Sequence, residues 1–197
     1  EPADLIVSEW LGNFALVEDM WADVARARDR CLREGGRMLP ERVDLFLAPV
    51  DDAVAYFGDG PGHWREPVEG LDFAPLEELE LRQGRSVQAR VDASTLLAPP
   101  VRVATLDAGR DGPSAGQGRS QHEVVFSRAG QLVGWVGWFE AQLSPGVRLD
   151  TGPRATETHW SQTFLPYACR TVRAGERAEL NVRLETHPLA RPDRATR

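Results

Sequence analysis

The hydrophobic pattern of the first 40 residues is that of an α/β unit. A short apolar run at residues 2–7, bounded by turn-forming residues, predicts a buried parallel strand. The apolar positions that follow recur at helical spacing and predict a helix over residues 16–32. Its buried face would carry Met20, Val24, Ala27 and Cys31, widened by Trp21, Ala25 and Leu32. The pair Gly35 and Gly36 is typical of a helix end.

After residue 40 the pattern changes to short strands. Residues 42–50 alternate between apolar and polar positions, as a sheet strand does. Further strands are predicted at residues 101–106, 122–126, 132–142, 162–167 and 180–184. Segments rich in glycine and proline, notably residues 107–118, separate them, and such punctuation is typical of a barrel or a sandwich. The predicted fold class is therefore α/β followed by all-β.

One insertion in the β half has a different pattern. Residues 56–90 contain helical patches, for example at residues 73–81. Near its start lie the regularly spaced Gly58, Gly60 and Gly62. A glycine loop holds a cofactor where it joins a strand to a helix, and the proline that follows Gly60 argues against an immediate helix. We interpret these glycines as a turn.

Composition narrows the class of protein. The chain has 197 residues, which suffices for one large domain or two small ones. Its formal net charge of −7 argues against a nucleic-acid binder and is compatible with a cationic substrate. All 23 residues counted as Lys or Arg are arginines, and they are interleaved with acids as on a solvated surface. A lysine-free chain rich in Ala, Arg and Gly indicates a GC-rich bacterial gene.

The cysteines and histidines give no sign of a metal site. Cys31 and Cys169 are far apart, so free thiols in a reducing, cytoplasmic compartment are the simpler interpretation, with one disulfide as the alternative. His63, His122 and His187 show no metal-ligand spacing, with one another or with the cysteines. No apolar run reaches transmembrane length and no signal peptide is visible, so no membrane partner is expected.

Two glutamates flank an apolar segment. Glu9 ends the predicted strand and Glu18 opens the predicted helix. Apolar and aromatic side chains lie between them: Trp10, Leu11, Phe14 and Leu16. One interpretation is a solvated loop acid and a charge at a helix N-terminus. The other is functional, because two carboxylates held in an apolar setting repel one another and need a shared cation, and a guanidinium fork matches carboxylates bidentately.

Three stretches of this sequence resemble the protein arginine methyltransferases. The segment SEWLGNFALVEDM at residues 8–20 resembles the family's double-E loop, in which S-E-W-M-G is followed by E-x-M. Thr158-His159-Trp160, followed by SQTF, resembles its T-H-W loop. His63-Trp64 and the sequence GLDF at residues 70–73 resemble its dimerisation arm, and VDASTLLAPPVRVATLD continues in the same register. The resemblance covers nearly the whole chain.

The resemblance implies a fold and an assembly. Residues 1–40 would be the C-terminal portion of an S-adenosylmethionine-dependent methyltransferase domain: the last strand and helix of a Rossmann-like domain, with the double-E loop. Residues 41–197 would be a β-barrel substrate-binding domain, with the dimerisation arm at residues 56–90. A homodimer is expected for the full-length protein. The cofactor's glycine loop would precede Glu1, so this chain is expected to belong to a longer protein and to be inactive alone.

The resemblance also implies an activity, the S-adenosyl-L-methionine-dependent transfer of a methyl group to a guanidino nitrogen of arginine in a protein or peptide. Glu9 and Glu18 would bind and orient the guanidinium as a catalytic pair. His159 would close the site and take part in catalysis, and Trp160 would wall the arginine tunnel. Met20 would contact the substrate and the cofactor and would favour asymmetric dimethylarginine.

Two departures from the family pattern leave the substrate open. Leu11 stands where the family has methionine, and Asn13 where it has tyrosine. The substrate could be a protein arginine, a peptide or a small guanidino compound. The alternative function is non-catalytic: a barrel-and-arm interaction module, or a pseudoenzyme subunit without a cofactor site. A glycine-rich cofactor motif upstream of Glu1 would favour the enzyme.

Overall fold

The computed structural model of the protein describes residues 1–83 and 86–185. The helices are α1 (Trp21–Cys31), α2 (Ala53–Phe57) and α3 (Pro75–Gln83), with 3₁₀ helices at Pro61–Arg65 and Ala93–Thr95. The strands are β1 (Ala3–Val7), β2 (Leu32–Leu39), β3 (Arg42–Val50), β4 (Val87–Ala89), β5 (Val101–Asp107), β6 (Gly118–Val125), β7 (Gly130–Ser144), β8 (Val147–Asp150), β9 (Gln162–Val172) and β10 (Arg177–Leu184). His187 lies outside the described residues.

The N-terminal part is a β–α–β unit. Strand β1 pairs in parallel with β2, and α1 connects them. This confirms the predicted strand and helix of an α/β layer. The prediction that Gly35 and Gly36 end the helix is wrong, since both lie inside β2. The helix ends at Cys31 because Leu32 already has extended dihedral angles, with φ −84° and ψ 133°.

Helix α1 is shorter than predicted, and its buried face agrees only in part with the predicted one, at Trp21, Val24 and Ala25. It begins at Trp21 rather than at residue 16, because Ala15 and Asp19 adopt positive φ angles of 50° and 51°, which interrupt a helix. The buried residues are Trp21, Ala22, Val24, Ala25 and Arg28. Three residues of the predicted face are exposed instead: Met20, Ala27 and Cys31. The predicted burial of the Cys31 thiol is therefore wrong.

Strand β1 is also more exposed than predicted. Leu5 and Val7 are exposed apolar side chains, whereas the sequence indicated a buried strand. Within the described residues, β1 and β2 form a sheet of two strands, so one edge of β1 has no paired neighbour.

The β part confirms the predicted all-β region. Five strands follow one another in a sheet in the order β4-β9-β7-β3-β5, and β8 adds to β7. Strands β6 and β10 form a second, antiparallel pair. Leu180 and Val182 of β10 pack on the same core cluster as Val43, Leu106 and Phe139 of the larger sheet, so the strands wrap one core as a barrel. The sequence pattern missed the short strands β4 and β8.

The N-terminal unit and the barrel share this core. Trp10, Phe14 and Trp21 belong to the same buried cluster as Leu106 and Phe139. The loop between β1 and α1 is therefore seated directly on the barrel. The division of the chain at residue 40 remains a prediction about domains.

The insertion after β3 is largely helical, as predicted. Gly58 and Gly60 lie in the turn between α2 and the 3₁₀ helix Pro61–Arg65, as expected, but Gly62 lies inside that helix. The expectation that the proline after Gly60 argues against an immediate helix is wrong, because proline is tolerated in the first turn of a helix. Glu77 of α3 accepts hydrogen bonds from Tyr56 and from Arg65, at 2.6–2.7 Å, and so joins the three short helices. Among residues 1–83 and 86–185, no helix has the length and hydrophobicity that a membrane crossing requires.

Candidate active site

The loop between β1 and α1, residues 8–20, is called the acidic loop. Three of its apolar side chains, Trp10, Leu11 and Phe14, are buried in the core, whereas Val17 and Met20 are exposed. Tight turns at Gly12, Ala15 and Asp19, with φ angles of 46°, 50° and 51°, allow so short a segment to bury these side chains. The two glutamates of the loop are consequently left on its outer side.

Glu9 is held by its own loop. Its Oε1 accepts a hydrogen bond from the backbone N–H of Leu11 at 2.8 Å. The residue is exposed. One end of the carboxylate is therefore fixed while the side chain stays accessible.

Glu18 lies across the same loop. Its carboxyl group passes over Gly12, where a β-carbon would come within 3.1 Å of the Glu18 Oε1. Glu18 is exposed and precedes α1 by three residues, so it does not open the helix as predicted. The expected apolar setting for the two acids is also wrong, because the apolar side chains between them point into the core and leave both carboxylates at the surface.

A second loop, residues 157–161, is called the His-Trp loop. The exposed ring of His159 lies on Trp160, with 3.9 Å between ring centroids. Trp160 in turn contacts the buried Phe139 edge-to-face at 5.8 Å. The histidine thus stands at the surface on a tryptophan that is anchored in the core.

Strand β4 supports the His-Trp loop from behind. The Gln88 amide donates to the backbone carbonyls of His159 and Trp160, at 3.4 and 3.3 Å. Arg90, at the end of β4, forms an ion pair with Glu157. These contacts order the loop without using the side chains of His159 and Trp160.

Strand β7 brings the two loops together. The ring of Phe14 from the acidic loop lies on Gly137, where a β-carbon would be 2.8 Å from the ring. Trp160 packs on Phe139. Positions 137 and 139 share one face of the strand, and two residues of strand span about 7 Å. The loops are therefore neighbours, although in the described part of the chain no hydrogen bond or ion pair links His159 to either glutamate.

Met20 precedes the first turn of α1, with φ −83° and ψ −20°. Its side chain is 38% exposed. Together with Val17 it presents apolar surface beside Glu18. Met20 is thus an exposed thioether two residues after Glu18.

Three further residues tie the acidic loop and α1 to the segment between β5 and β6, residues 108–117. These residues are Leu16, Trp21 and Arg28, and their contacts are described below. The sequence contained one indication of these contacts. Arg28 follows Trp21 by seven residues, and residues seven apart lie on the same face of a helix, so an arginine stands at a position expected to be buried. The local pattern did not indicate what this arginine contacts.

No metal centre is visible among residues 1–83 and 86–185, where no group of three or more His, Cys, Asp or Glu side chains could hold an ion. His122 instead lies 2.9 Å from the Ser120 hydroxyl. The chemistry available at the paired loops is that of carboxylates, an imidazole and aromatic faces.

Comparisons with known proteins show the family to which the chain belongs. The family model described as "Arginine methyltransferase oligomerization subdomain" matches residues 41–197. The chain is 32% identical over 180 residues to protein arginine N-methyltransferase 1 of Schizosaccharomyces pombe, covering 89% of this chain and 52% of that protein. It is 36% identical over 177 residues to protein arginine N-methyltransferase 6 of Xenopus laevis, covering 84% and 50%.

Solved structures of the same class share the fold. The chain superposes with a TM-score of 0.82 and 26% identity on the Trypanosoma brucei PRMT1 enzyme–prozyme heterotetrameric complex with AdoHcy, covering 93% of this chain and 58% of that one. Arabidopsis thaliana protein arginine methyltransferase 10 gives a TM-score of 0.75 at 24% identity, with coverage of 93% and 61%, a likeness of fold. The chain spans about half the length of the curated relatives it matches. It belongs to the protein arginine methyltransferase family, of which it represents the C-terminal region.

Proposed function

We propose that the native protein transfers a methyl group from S-adenosyl-L-methionine to a guanidino nitrogen of arginine in a protein or peptide, and that this chain supplies the groups that hold the guanidinium. The observation that carries the proposal is the placement of Glu9 and Glu18 on the outer side of one short loop. The His-Trp loop stands beside it on strand β7.

Glu9 and Glu18 act on the guanidinium together. A guanidinium is a poor nucleophile because its charge and lone pairs are delocalised. Two carboxylates that contact it draw positive charge toward themselves and leave electron density on the nitrogen that is to be methylated. They also fix the direction of that nitrogen, and such orientation supplies several kcal/mol of barrier lowering. The hydrogen bond from Leu11 to Glu9 contributes to this order.

The His-Trp loop completes the substrate side. Trp160 offers an aromatic face to the planar guanidinium and to the aliphatic stem of the arginine. His159, exposed and stacked on Trp160, closes the site and accepts the proton that the methylated nitrogen releases. Met20 lies beside Glu18 and limits the room around the reacting nitrogen.

The cofactor would supply a methyl group activated on a sulfonium. Of the described residues, we assign only Met20 to cofactor contact, because its thioether is exposed at the start of α1, on the side of Glu18. We assign residues 1–40, which contain β1, the acidic loop and α1, to a methyltransferase domain. We assign residues 41–197 to the barrel, with its arm at residues 56–90.

The substrate is assigned as an arginine in a protein or peptide. Both glutamates are exposed on an open surface, which a polypeptide can approach as easily as a small guanidino compound. The net charge of −7 favours cationic segments. Asn13, half-buried in the acidic loop, occupies a position where the size of the side chain affects how the arginine lies.

The native protein is proposed to be a homodimer formed through the arm. Its helices and turns carry the exposed apolar side chains Phe57, Val68, Leu71 and Leu79, and Val54 is exposed just before it. The matching family model is named for oligomerisation. Both cysteines are free, which favours the cytoplasm, and the lysine-free composition favours a bacterial source.

Methyl transfer by the native protein tests the proposal. The protein is incubated with labelled S-adenosyl-L-methionine and an arginine-rich peptide, with the same peptide carrying lysine for arginine as the control. Label in the arginine peptide alone supports the proposal. No label in either peptide from a protein that binds the cofactor contradicts it, and favours the non-catalytic barrel-and-arm module.

A further inference from the structure

Arg28 is a buried cation that joins α1 to the barrel. It is 7% exposed, and its Nη1 donates to the carbonyls of Ala108 and Asp111, at 3.0 and 2.8 Å. Its Nε and Nη2 both donate to Asp29, at 2.9 and 2.7 Å. A buried guanidinium is tolerated when its donors are satisfied in this way. Two hydrogen bonds therefore fix the last turns of α1 to the segment between β5 and β6, and the two to Asp29 satisfy the remaining donors within the helix.

Trp21 makes a second link between the same two elements. The indole nitrogen of this buried residue donates to the carbonyl of Gly112 at 3.0 Å. Its ring contacts Trp10, with 4.9 Å between centroids. Trp10 is fully buried and directly follows Glu9. A continuous contact path thus runs from the barrel, through two indoles, to the backbone that carries Glu9.

Leu16 makes a third link, inside the acidic loop itself. It lies against Gly116, where a β-carbon would be 3.2 Å from the Leu16 Cδ1 and 3.1 Å from Leu106. Gly116 has a φ angle of 79°. Leu16 stands two residues before Glu18. The contact therefore reaches the backbone on the other side of the loop from Glu9.

Hydrogen bonds hold the segment of residues 108–117 itself in place. Its first residue, Ala108, donates its N–H to the carbonyl of Glu41 at 2.8 Å and is buried. The Asp111 carboxylate accepts from the N–H of Asp107 at 2.7 Å, and Ala115 donates to the carbonyl of Gly112 at 2.9 Å. Because the segment is hydrogen-bonded at its first residue and within its turns, it offers a fixed surface to the residues of α1 and the acidic loop that pack on it.

We infer that residues 108–117 of the barrel set the position of the Glu9 and Glu18 carboxylates, with Leu16, Trp21 and Arg28 as the positioning residues. This inference rests on the proposed function. The acidic loop has few internal hydrogen bonds and three positive φ angles, so its shape depends on what it packs against. Since misplacement by about 1 Å can cost about 10²-fold in rate, a shift of residues 108–117 lowers turnover without touching a glutamate.

A pair of matched glycine variants tests this from the barrel side. Gly116 and Gly175 both have a φ of 79°, so alanine strains the backbone equally at both positions. A β-carbon at Gly175 meets nothing within 4 Å, whereas at Gly116 it crowds Leu106 and Leu16. In the native protein, Gly116→Ala is expected to lower kcat about tenfold or more relative to Gly175→Ala, with the KM for the cofactor unchanged.

A second pair tests the inference from the helix side. Arg28→Met is compared with Arg30→Met, an exposed arginine of the same helix, and with Arg28→Lys, which keeps the charge. Arg28→Met is expected to lower kcat about tenfold or more. The lysine variant should recover part of the loss, because an ammonium can still donate to the carbonyls of Ala108 and Asp111.

Amide hydrogen exchange tests the inference independently of activity, because it measures the order of the acidic loop. Gly116→Ala and Arg28→Met are expected to speed exchange at Leu11 and Asp19 about tenfold, and their controls to leave it unchanged. A folded Gly116→Ala protein whose exchange and kcat match those of Gly175→Ala overturns the inference, even if the native protein is an active methyltransferase. Faster exchange in a protein without methyl transfer supports the positioning role while refuting the proposed function.

Discussion

The carboxyl group of Glu18 lies directly over Gly12, with its Oε1 3.1 Å from the place that a β-carbon would occupy. Gly12 has a φ of 46°, so it both forms the turn and leaves room for the acid. The position of the Glu18 carboxyl thus depends on Gly12, a residue without a side chain that lies three positions after Glu9.

Gly12→Ala is therefore expected to displace Glu18. The new methyl group contacts the carboxyl, so turnover of the native protein should fall about tenfold or more, and positive φ should add a stability cost of about 1 kcal/mol. Steady-state kinetics and thermal unfolding measure the two effects. Gly35→Ala is the control, because Gly35 also has a positive φ, 72°, with nothing within 4 Å. Equal turnover in the two variants would contradict this account of Gly12.

Met20 is expected to determine the product. An exposed methionine beside Glu18 limits how a methylated arginine can lie, so the methylated nitrogen is presented again and asymmetric dimethylarginine forms. Fragmentation mass spectrometry of the product distinguishes the dimethylated forms. Met20→Ala should raise the share of other products. Symmetric dimethylarginine, or monomethylarginine that proceeds no further, from the native protein would show that Met20 lacks this role.

The arm should lose stability in acid through Glu77. Hydrogen bonds from Arg65 and Tyr56 lower the pKa of the Glu77 carboxyl below its ordinary value of 4.5, although burial opposes them. A depressed folded-state pKa gives stability that is present above the unfolded-state value and is lost as pH falls through the folded-state value. Glu77→Gln is expected to destabilise the protein by about 1–3 kcal/mol near neutral pH and to flatten the pH dependence below about pH 5.

Denaturant unfolding between pH 3 and 7 measures the Glu77 effect. The control is Glu78→Gln on the same helix, whose pair with Arg82 is 74% exposed on both sides. An equal effect of the two substitutions would refute the role assigned to Glu77. Burial, and next the hydrogen bond to Glu77, raise the pKa of the Tyr56 hydroxyl although the charge of Arg65 opposes them, so the network should persist in mild base.

The exposed apolar side chains of the arm are expected to form the dimer contact. Phe57 and Leu71 are 47% and 62% exposed, and replacing both by serine should weaken dimerisation of the native protein about tenfold or more. Val147→Ser, at an apolar position 51% exposed on β8, is the control. Sedimentation velocity over a concentration series gives the dissociation constants, and an unchanged constant in the double variant would place the contact elsewhere.

The sequence pattern was sufficient for most strands because alternation directly reflects which face of a sheet is buried. Residues 42–50 were predicted with the bounds that β3 has. The predicted start of α1 at residue 16 was wrong for a tertiary reason. Leu16 is apolar because it packs on Gly116, and an apolar residue at this position looks like part of the first turn of a helix. Arg28 was missed because its partners lie about 80 residues away in the chain. Local periodicity contains no information on such contacts.

The sequence motifs of the two loops were sufficient to predict the residues of the candidate site. They were not sufficient to predict the environment of those residues. Resemblance placed Glu9 and Glu18 in one loop, but the expectation of an apolar setting overlooked that Trp10 and Phe14 would turn inward and leave the acids exposed. The support of the His-Trp loop by Gln88 also had no signal in the sequence, because it uses backbone carbonyls.

The most direct test of the central claim is the mass-spectrometric measurement of arginine methylation by the native protein and by single variants of the acidic loop. Glu9→Gln and Glu18→Gln should each reduce methylation about 10²-fold or more, because each removes a charge from the guanidinium contact. Asp19→Asn is the control, since it removes a neighbouring charge and asparagine tolerates its positive φ of 51°. Near-native methylation by either glutamate variant, with the same peptide and cofactor, would contradict the account.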